Sequence, residues 1–317
     1  MLAAAGSRLL LGAAIAALVA GCGGGSPESV SPGAARTPGG TLEIAVPKAP
    51  GTLDPLLASP ADLLIARQIY EPLIERLSGP YGDPRRLAGL VTSVEPAAHQ
   101  TIWTLHLRPN VRFQDGARYN ASAVLANVQR WRATSASSTL LPGLVAVDAP
   151  RPDLVRFIFD RADPDLDRQL ASPRLGLVSP RALRSQNAFA RLARGVAAGS
   201  GPFELRERDP RRIVLARNVE WWGTHVGLGP AVDQIGFRVA ATAAERLVLL
   251  HRAEVQVAYD LGPAQVATLR RDPLLTELRG AGGMDVGLQR SVRGIESAGQ
   301  IPLLSQAWLT TIAAGTG

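Results

Sequence analysis

The sequence of 317 residues has a single cysteine, Cys22, and a single lysine, Lys48. One thiol excludes an intramolecular disulfide framework and any zinc site built on cysteine. Aromatic residues make up only 5% of the chain, too few for the base stacking that accompanies many phosphate-gripping surfaces. Positive charge resides almost wholly in arginine, with 34 basic against 27 acidic residues for a net +7, and it is spread along the chain rather than gathered in a stripe. No nucleic-acid partner is expected from that pattern. No P-loop or dinucleotide fingerprint occurs, and Ser200, between Gly199 and Gly201, lacks the outer glycine of a nucleophile elbow. The histidines His99, His106, His225 and His251 have no metal-ligand spacing. Neither a metal, a cofactor nor catalysis is therefore called for. A hydrolase would need a Ser-His-acid constellation around Ser200.

What is present is a core-forming composition, 46% hydrophobic, in a chain long enough for two ordinary domains. The apolar run Leu9 to Ala20 follows Arg8 and falls short of the ~20 residues that a membrane-spanning helix needs, so it reads as an export signal. Val19-Ala20-Gly21-Cys22 resembles the lipobox of bacterial lipoproteins, which implies a diacylglycerol thioether on Cys22 and cleavage before it. Residues 1–21 are then a lipoprotein signal peptide. Residues 22–40, rich in Gly, Ser, Pro and Ala, are a flexible linker, and the folded body begins near Thr41.

Within the body, Leu42, Ile44 and Val46 alternate with polar or small neighbours, which predicts a strand ending at Pro47. Ser59, Pro60 and Asp62 start a helix with Ile65, Ile69 and Tyr70 along one face, ending at or kinking near Glu71 because Pro72 cannot continue the ladder. Ile102 to Arg108 is a strand with one wet face, and Asn120 caps a helix from Ala121 to Trp131 with Val124, Val128 and Trp131 inward. Val145–Val147 and Val155–Phe159 read as a hairpin around the turn-rich 148–153. Helical stretches follow at 165–170 and 180–194, then a glycine-rich loop, a hairpin of 203–206 with 212–216, and a strand over Ile235, Phe237 and Val239. Residues 242–252 are helical, 255–259 extended and 263–271 helical again. Strands and helices mingle throughout, so the class is α/β or mixed α+β.

Several segments, in this order, resemble the extracellular solute-binding proteins of family 5, the oligopeptide, dipeptide and nickel group of ABC-importer capture subunits. They are Leu53-Asp54-Pro55; Ile69-Tyr70-Glu71-Pro72-Leu73-Ile74; Trp103 to Arg108 running into Val111-Arg112-Phe113-Gln114-Asp115-Gly116; Gly199-Ser200-Gly201-Pro202-Phe203; Ala216 to Trp222; and Arg246-Leu247 through Val257. The resemblance implies a two-lobed periplasmic-binding-protein-like fold, type II and cluster C-like. It implies a solute-binding domain over 41–261, domain I with an inserted hairpin and helix domain II, and a reduced domain III over 262–317 whose end returns to domain I. Family members are usually longer, and Ala253 and Gln256 replace the Gly and Asp usual in the strand motif.

A solute receptor needs a cleft with a few convergent polar groups and no nucleophile. Asp54, Ser200, Gly201, Trp221, Trp222, Tyr259 and Asp260 are the ligand-binding candidates. Each also has a plain structural role: turn chemistry for Asp54, Asp260 and the glycine loop, packing for the tryptophan pair. The expectation is a lipid-anchored, extracytoplasmic monomer that captures a small molecule or peptide and offers it to ABC permease subunits, with the membrane reached through Cys22. The alternative is an accessory envelope lipoprotein, or a non-transporting remnant, that keeps the fold and binds a protein partner.

Overall fold

The computed structural model describes residues 39–76, 87–134, 137–226, 230, 232–262, 265, 275–279 and 286–290. The expected signal peptide, Cys22 and nearly all of the linker lie outside the described residues, as does most of the helix expected over 263–271.

The first elements follow their local signals. Strand β1 (Thr41–Val46) buries Leu42, Ile44 and Val46. Helix α1 (Pro60–Ile69) starts where the Ser59 hydroxyl accepts the Asp62 amide at 3.2 Å and Pro60 supplies a preset φ. It stops at Tyr70, two residues before the proline. A two-stranded ribbon of β2 (Ile74–Arg76) and β3 (Leu87–Gly89) leads into a four-stranded antiparallel sheet. Its members are β4 (Val91–Ala97), β5 (Ile102–Leu107), β6 (Leu144–Arg151) and β7 (Leu154–Phe159), in the order β4-β5-β7-β6. Between β5 and β6 come α2 (Ala121–Arg132), capped by Asn120 as its sequence predicts, and the single turn α3 (Ser137–Leu140).

Three short helices follow: α4 (Leu166–Leu170), α5 (Pro180–Leu183) and α6 (Ala188–Arg194). The expected continuous helix over 180–194 is two helices, because Asn187 turns left-handed at φ 58° and breaks the ladder. The chain then forms β8 (Phe203–Arg208), β9 (Arg212–Arg217), β10 (Gln234–Val239), α7 (Ala243–His251), β11 (Val257–Ala258), β12 (Leu275–Arg279) and β13 (Val286–Arg290). These build a seven-stranded mixed sheet ordered β12-β13-β11-β1-β10-β9-β8. The central strand β1 lies parallel to β10 on one side (Ile44 opposite Phe237) and to β11 on the other (Ile44 opposite Val257).

The hairpin foreseen around 148–153 exists with longer strands, since β6 runs through Arg151 and leaves only Pro152 and Asp153 in the turn. Strands β2, β3, β4, β12 and β13 had no sequence expectation. Pro96 argues against a strand, yet β4 is an edge strand, where a missing amide costs no ladder bond.

Each large sheet carries its own core. Val124, Val128 and Trp131 of α2 pack with Trp103, Leu105, Leu107, Val155, Phe157 and Phe159 of the four-stranded sheet. Ile65 and Ile69 of α1 pack with Leu42, Ile44, Phe203, Ile213, Leu215, Ile235 and Phe237 of the seven-stranded sheet. Side chains of this size contribute roughly 1.5–3 kcal/mol each when fully buried. A smaller cluster joins Leu250 of α7 to Ala45, Val255, Ala258 and Leu261. The chain passes between the two main cores at several points: between Leu53 and Leu56, between Tyr70 and Leu73, at Leu177–Val178, and on either side of Trp221–Trp222.

Candidate functional site

The buried polar residues gather at these crossings. Asp54 is 1% exposed, and its carboxylate receives the Arg130 guanidinium from α2 and the Leu56 amide at 3.0 Å. Nε and Nη1 of Arg130 are buried without a hydrogen-bond partner, so Asp54 is the group that compensates this charge. The pair ties the loop after β1 to a helix of the other core.

The Gly199-Ser200-Gly201 loop is packed against the end of α1. The Gly201 amide donates to the Ile69 carbonyl at 2.8 Å, and the Gly199 amide donates to Gln114 Oε1 at 2.9 Å. A Cβ at Gly199 would fall on the Ile69 carbonyl oxygen, and one at Gly201 on that of Gln68, so both positions need glycine for close approach. Gln114 Nε2 donates to the Phe203 carbonyl at 2.8 Å, and Asn218 Nδ2 donates to the Gly201 carbonyl at 3.1 Å. The Tyr70 hydroxyl donates to Ala197 at 2.9 Å, and burial pushes its pKa well up. Two of the three loop amides are therefore already engaged within the protein.

Glu71 lies beside this loop, 7% exposed. Trp221 Nε1 donates to its Oε1 at 3.0 Å, while Trp222 Nε1 is shared between Oε1 at 3.3 Å and Oε2 at 3.2 Å. The two indoles are tilted at 53°, with centroids 5.2 Å apart. Arg108 sits over the Trp222 ring, 4.1 Å from its centroid, and donates from Nε to the Gly89 carbonyl at 2.7 Å. Loss of hydration raises the Glu71 pKa to about 8, against the pull of the indole donors toward the charged form. The wholly buried Ser200 hydroxyl lies near the same carboxyl and also favours its charged form.

Tyr259 and Asp260 follow β11 at the edge of the third cluster. The Tyr259 amide donates to the Ala45 carbonyl at 2.9 Å, and its half-buried side chain packs on the core of the seven-stranded sheet. Asp260 is exposed at φ 57°, and its carbonyl accepts Arg246 Nη2 at 2.6 Å. Of the sequence candidates, the structure brings Ser200, Trp221 and Trp222 together around one carboxyl. It places Asp54 in an ion pair and Asp260 in a left-handed turn.

Three participants escaped the sequence reading: Glu71, Arg108 and Arg130. Glu71 stands in Tyr70-Glu71-Pro72-Leu73, where the sequence predicts a helix end and a resemblance to the family but no contact with the tryptophan pair. The histidines lie on separate segments, and among the described residues no group of three or more His, Cys, Asp or Glu could hold a metal ion. Among the same residues no helix is long and apolar enough to cross a membrane.

Comparison with known proteins bears on this arrangement. The family model for bacterial extracellular solute-binding proteins, family 5 Middle, matches residues 87–291, more than half of the chain. A probable D,D-dipeptide-binding periplasmic protein, DdpA of Escherichia coli strain K12, is 25% identical over 246 residues, 75% of this chain and 46% of that protein. The glutathione-binding protein GsiB of an Escherichia coli O6:K15:H31 strain is 28% identical over 176 residues, 54% of this chain and 33% of that protein. The periplasmic binding protein DppA of Helicobacter pylori, in complex with the peptide STSA, superposes with a TM-score of 0.66 at 20% identity, covering 77% of this chain and 51% of that one. The chain thus spans about half the length, or less, of these relatives.

Proposed function

This chain belongs to the family 5 bacterial extracellular solute-binding proteins, and on that premise we propose that it is the capture component of an ABC importer, taking a peptide-like solute for delivery to a permease. The family binds solutes rather than transforming them, so the chain is a binding protein and not an enzyme. The observation that carries the proposal is the family match through residues 87–291, which includes Ser200, Gly201, Trp221, Trp222, Tyr259 and Asp260. A peptide-class ligand is supported by the dipeptide and glutathione relatives and by the peptide bound in the Helicobacter pylori neighbour. The protein acts as a monomer held outside the cytoplasm by lipid on Cys22. The body is the solute-binding domain from residue 41 to 261, and the ligand acts by stabilising the arrangement of the protein with which it makes the better contacts.

Thermal unfolding of the purified protein with dipeptides, D,D-dipeptides and glutathione tests the capture step. A ligand at 100 times its Kd adds roughly 2.7 kcal/mol, so a rise in Tm with one of these classes is expected. No rise with any of them defeats the peptide reading. Incorporation of labelled palmitate, present in the parent and lost in Cys22→Ala, tests the anchor; equal labelling of both proteins removes it.

A further inference from the structure

We propose that the outer face of α5 and α6 docks on an anionic lipid surface, with Arg181, Arg184, Arg191 and Arg194 meeting headgroups and Phe189 entering between them. Arginine is spread along the whole chain, but acid is not: residues 168–203 hold six arginines and no Asp, Glu or His. Both short helices lie in that stretch. The proposal rests on the reading that the protein works outside the cytoplasm at a membrane, and it adds to the Cys22 anchor a contact made by the folded body.

The inner side of this segment is fixed by packing. Ala182 and Leu192 are buried in the core of the seven-stranded sheet. The Ala193 carbonyl accepts the Leu53 amide at 2.9 Å and Arg208 Nη1 at 2.8 Å. Left-handed residues Asn187 and Gly195 bound α6, and Phe189, Ala190, Arg191 and Arg194 are its exposed residues. Phe189 is 74% exposed, more than any other large apolar side chain among the described residues. A ring left in water forgoes the stabilisation that burial brings, and arginines on both sides of it suit the boundary between headgroups and acyl chains.

The four arginines are exposed and form no ion pair with any described residue, whereas Arg168 lies 3.0 Å from Asp165 and Arg174 turns to the Ala58 carbonyl at 3.2 Å. Arg181 Nη1 donates to the Asp115 carbonyl at 2.8 Å, which brings the 112–118 loop, with exposed Arg112 and Arg118, against α5. The Asp115 carboxylate accepts the Ser179 hydroxyl at 2.6 Å and the Ala117 amide at 3.0 Å, and it pairs with none of these arginines. Positive charge around an exposed ring selects a partner that is negative and admits an apolar side chain. An anionic lipid surface offers both, whereas an acidic protein would need a pocket placed to receive Phe189.

The test is cosedimentation of the full chain carrying Cys22→Ala, which removes the only cysteine, with phosphatidylcholine vesicles lacking or containing about 30% phosphatidylglycerol. The outcome is independent of solute capture and of palmitate labelling, so the face and the anchor can fail separately. Binding is expected on the anionic vesicles and should fall steeply from roughly 0.05 to 0.5 M salt. Arg184→Gln with Arg194→Gln, at exposed side chains without a hydrogen bond among the described residues, should weaken it about 30-fold. Phe189→Ala keeps every charge and should weaken it about tenfold. The same charge removed at Arg132 and Arg252, exposed on other elements, should change it by less than about threefold. Residues 1–40 are common to all these proteins, so differences among them report the folded body. No preference for the anionic vesicles overturns the proposal and turns the arginine face toward an acidic protein. Equal weakening by the two arginine pairs, or undiminished binding by Phe189→Ala, overturns it as well.

Discussion

Replacing Asp54 by Asn keeps the shape of the side chain and its acceptor for the Leu56 amide while deleting the charge opposite Arg130. The two side chains are 2% and 8% exposed, so solvent cannot take over the compensation. Arg130 already has Nε and Nη1 buried without partners, and the substitution leaves the whole guanidinium uncompensated. Breaking such a pair costs about 3–5 kcal/mol, because a buried charge loses its counter-charge without regaining water. For a body of this size roughly 2–4 °C accompanies each kcal/mol, so a fall in Tm of about 6–20 °C is expected. The paired substitution Asp54→Leu with Arg130→Met removes both charges and both desolvation costs, and should recover most of that loss. Urea unfolding of the parent, each single variant and the double variant gives the cycle. A loss under about 1 kcal/mol for Asp54→Asn, or a double variant no better than the single, would refute the view that the pair serves to neutralise a buried charge.

Other expectations use the same unfolding assay. Gly201→Ala drives a methyl into the backbone at Gln68 and Ile69, and the resulting overpacking should cost about 1–3 kcal/mol; an unchanged urea midpoint would show that the loop yields freely. Asn127 donates to the Val178 carbonyl at 2.8 Å and accepts its amide at 3.0 Å, so Asn127→Leu strands two buried backbone groups and should lose about 2 kcal/mol or more. Thr242→Ala breaks the capping box with Glu245 and should cost about 1 kcal/mol, seen as faster amide exchange in α7; exchange at the parent's rate would mean that the cap is idle.

Features whose physics lies within three or four residues were legible in the sequence. Ser59 with Pro60, Asn120, and Thr242 with Glu245 each supply a nearby acceptor to a helix start, and α1, α2 and α7 begin there. The alternation along β1 and β5 announced strands with one or both faces buried. Strands β2, β3, β12 and β13 are three to five residues long, and their pairing partners rather than their own composition determine them. Glu71 meets its first indole 150 positions away, and Arg130 reaches Asp54 across 76. No local pattern encodes such partners. The Asp-Pro pair marks Asp54 as a turn residue, but that turn cannot disclose the guanidinium on α2.

The placement of those long-range contacts carries a further argument about how the two cores are joined. Apolar packing alone fixes distance well and relative orientation poorly, because dispersion and the hydrophobic effect are non-directional. Here the crossings carry directional bonds: Asp54 to Arg130, Asn127 to Val178, Ser179 Oγ donating to Asp115 at 2.6 Å, and Gln114 to both Gly199 and Phe203. Stretching them would cost free energy, most of all at Asp54–Arg130 and Asn127–Val178, where the groups freed would be buried away from water. Sliding one core past the other would therefore have to break several such bonds together, whereas motion within a single core would leave them intact. The four-stranded sheet and the β1-centred sheet should consequently move as one body. Gln114→Leu tests this at a residue outside the two tryptophans and Glu71: by removing side-chain bonds to both ends of the 199–203 stretch, it should speed amide exchange at Gly199 and Gly201 while leaving exchange in β5 and β10 unchanged. Uniform acceleration across both sheets would mean that Gln114 supports global stability rather than the junction.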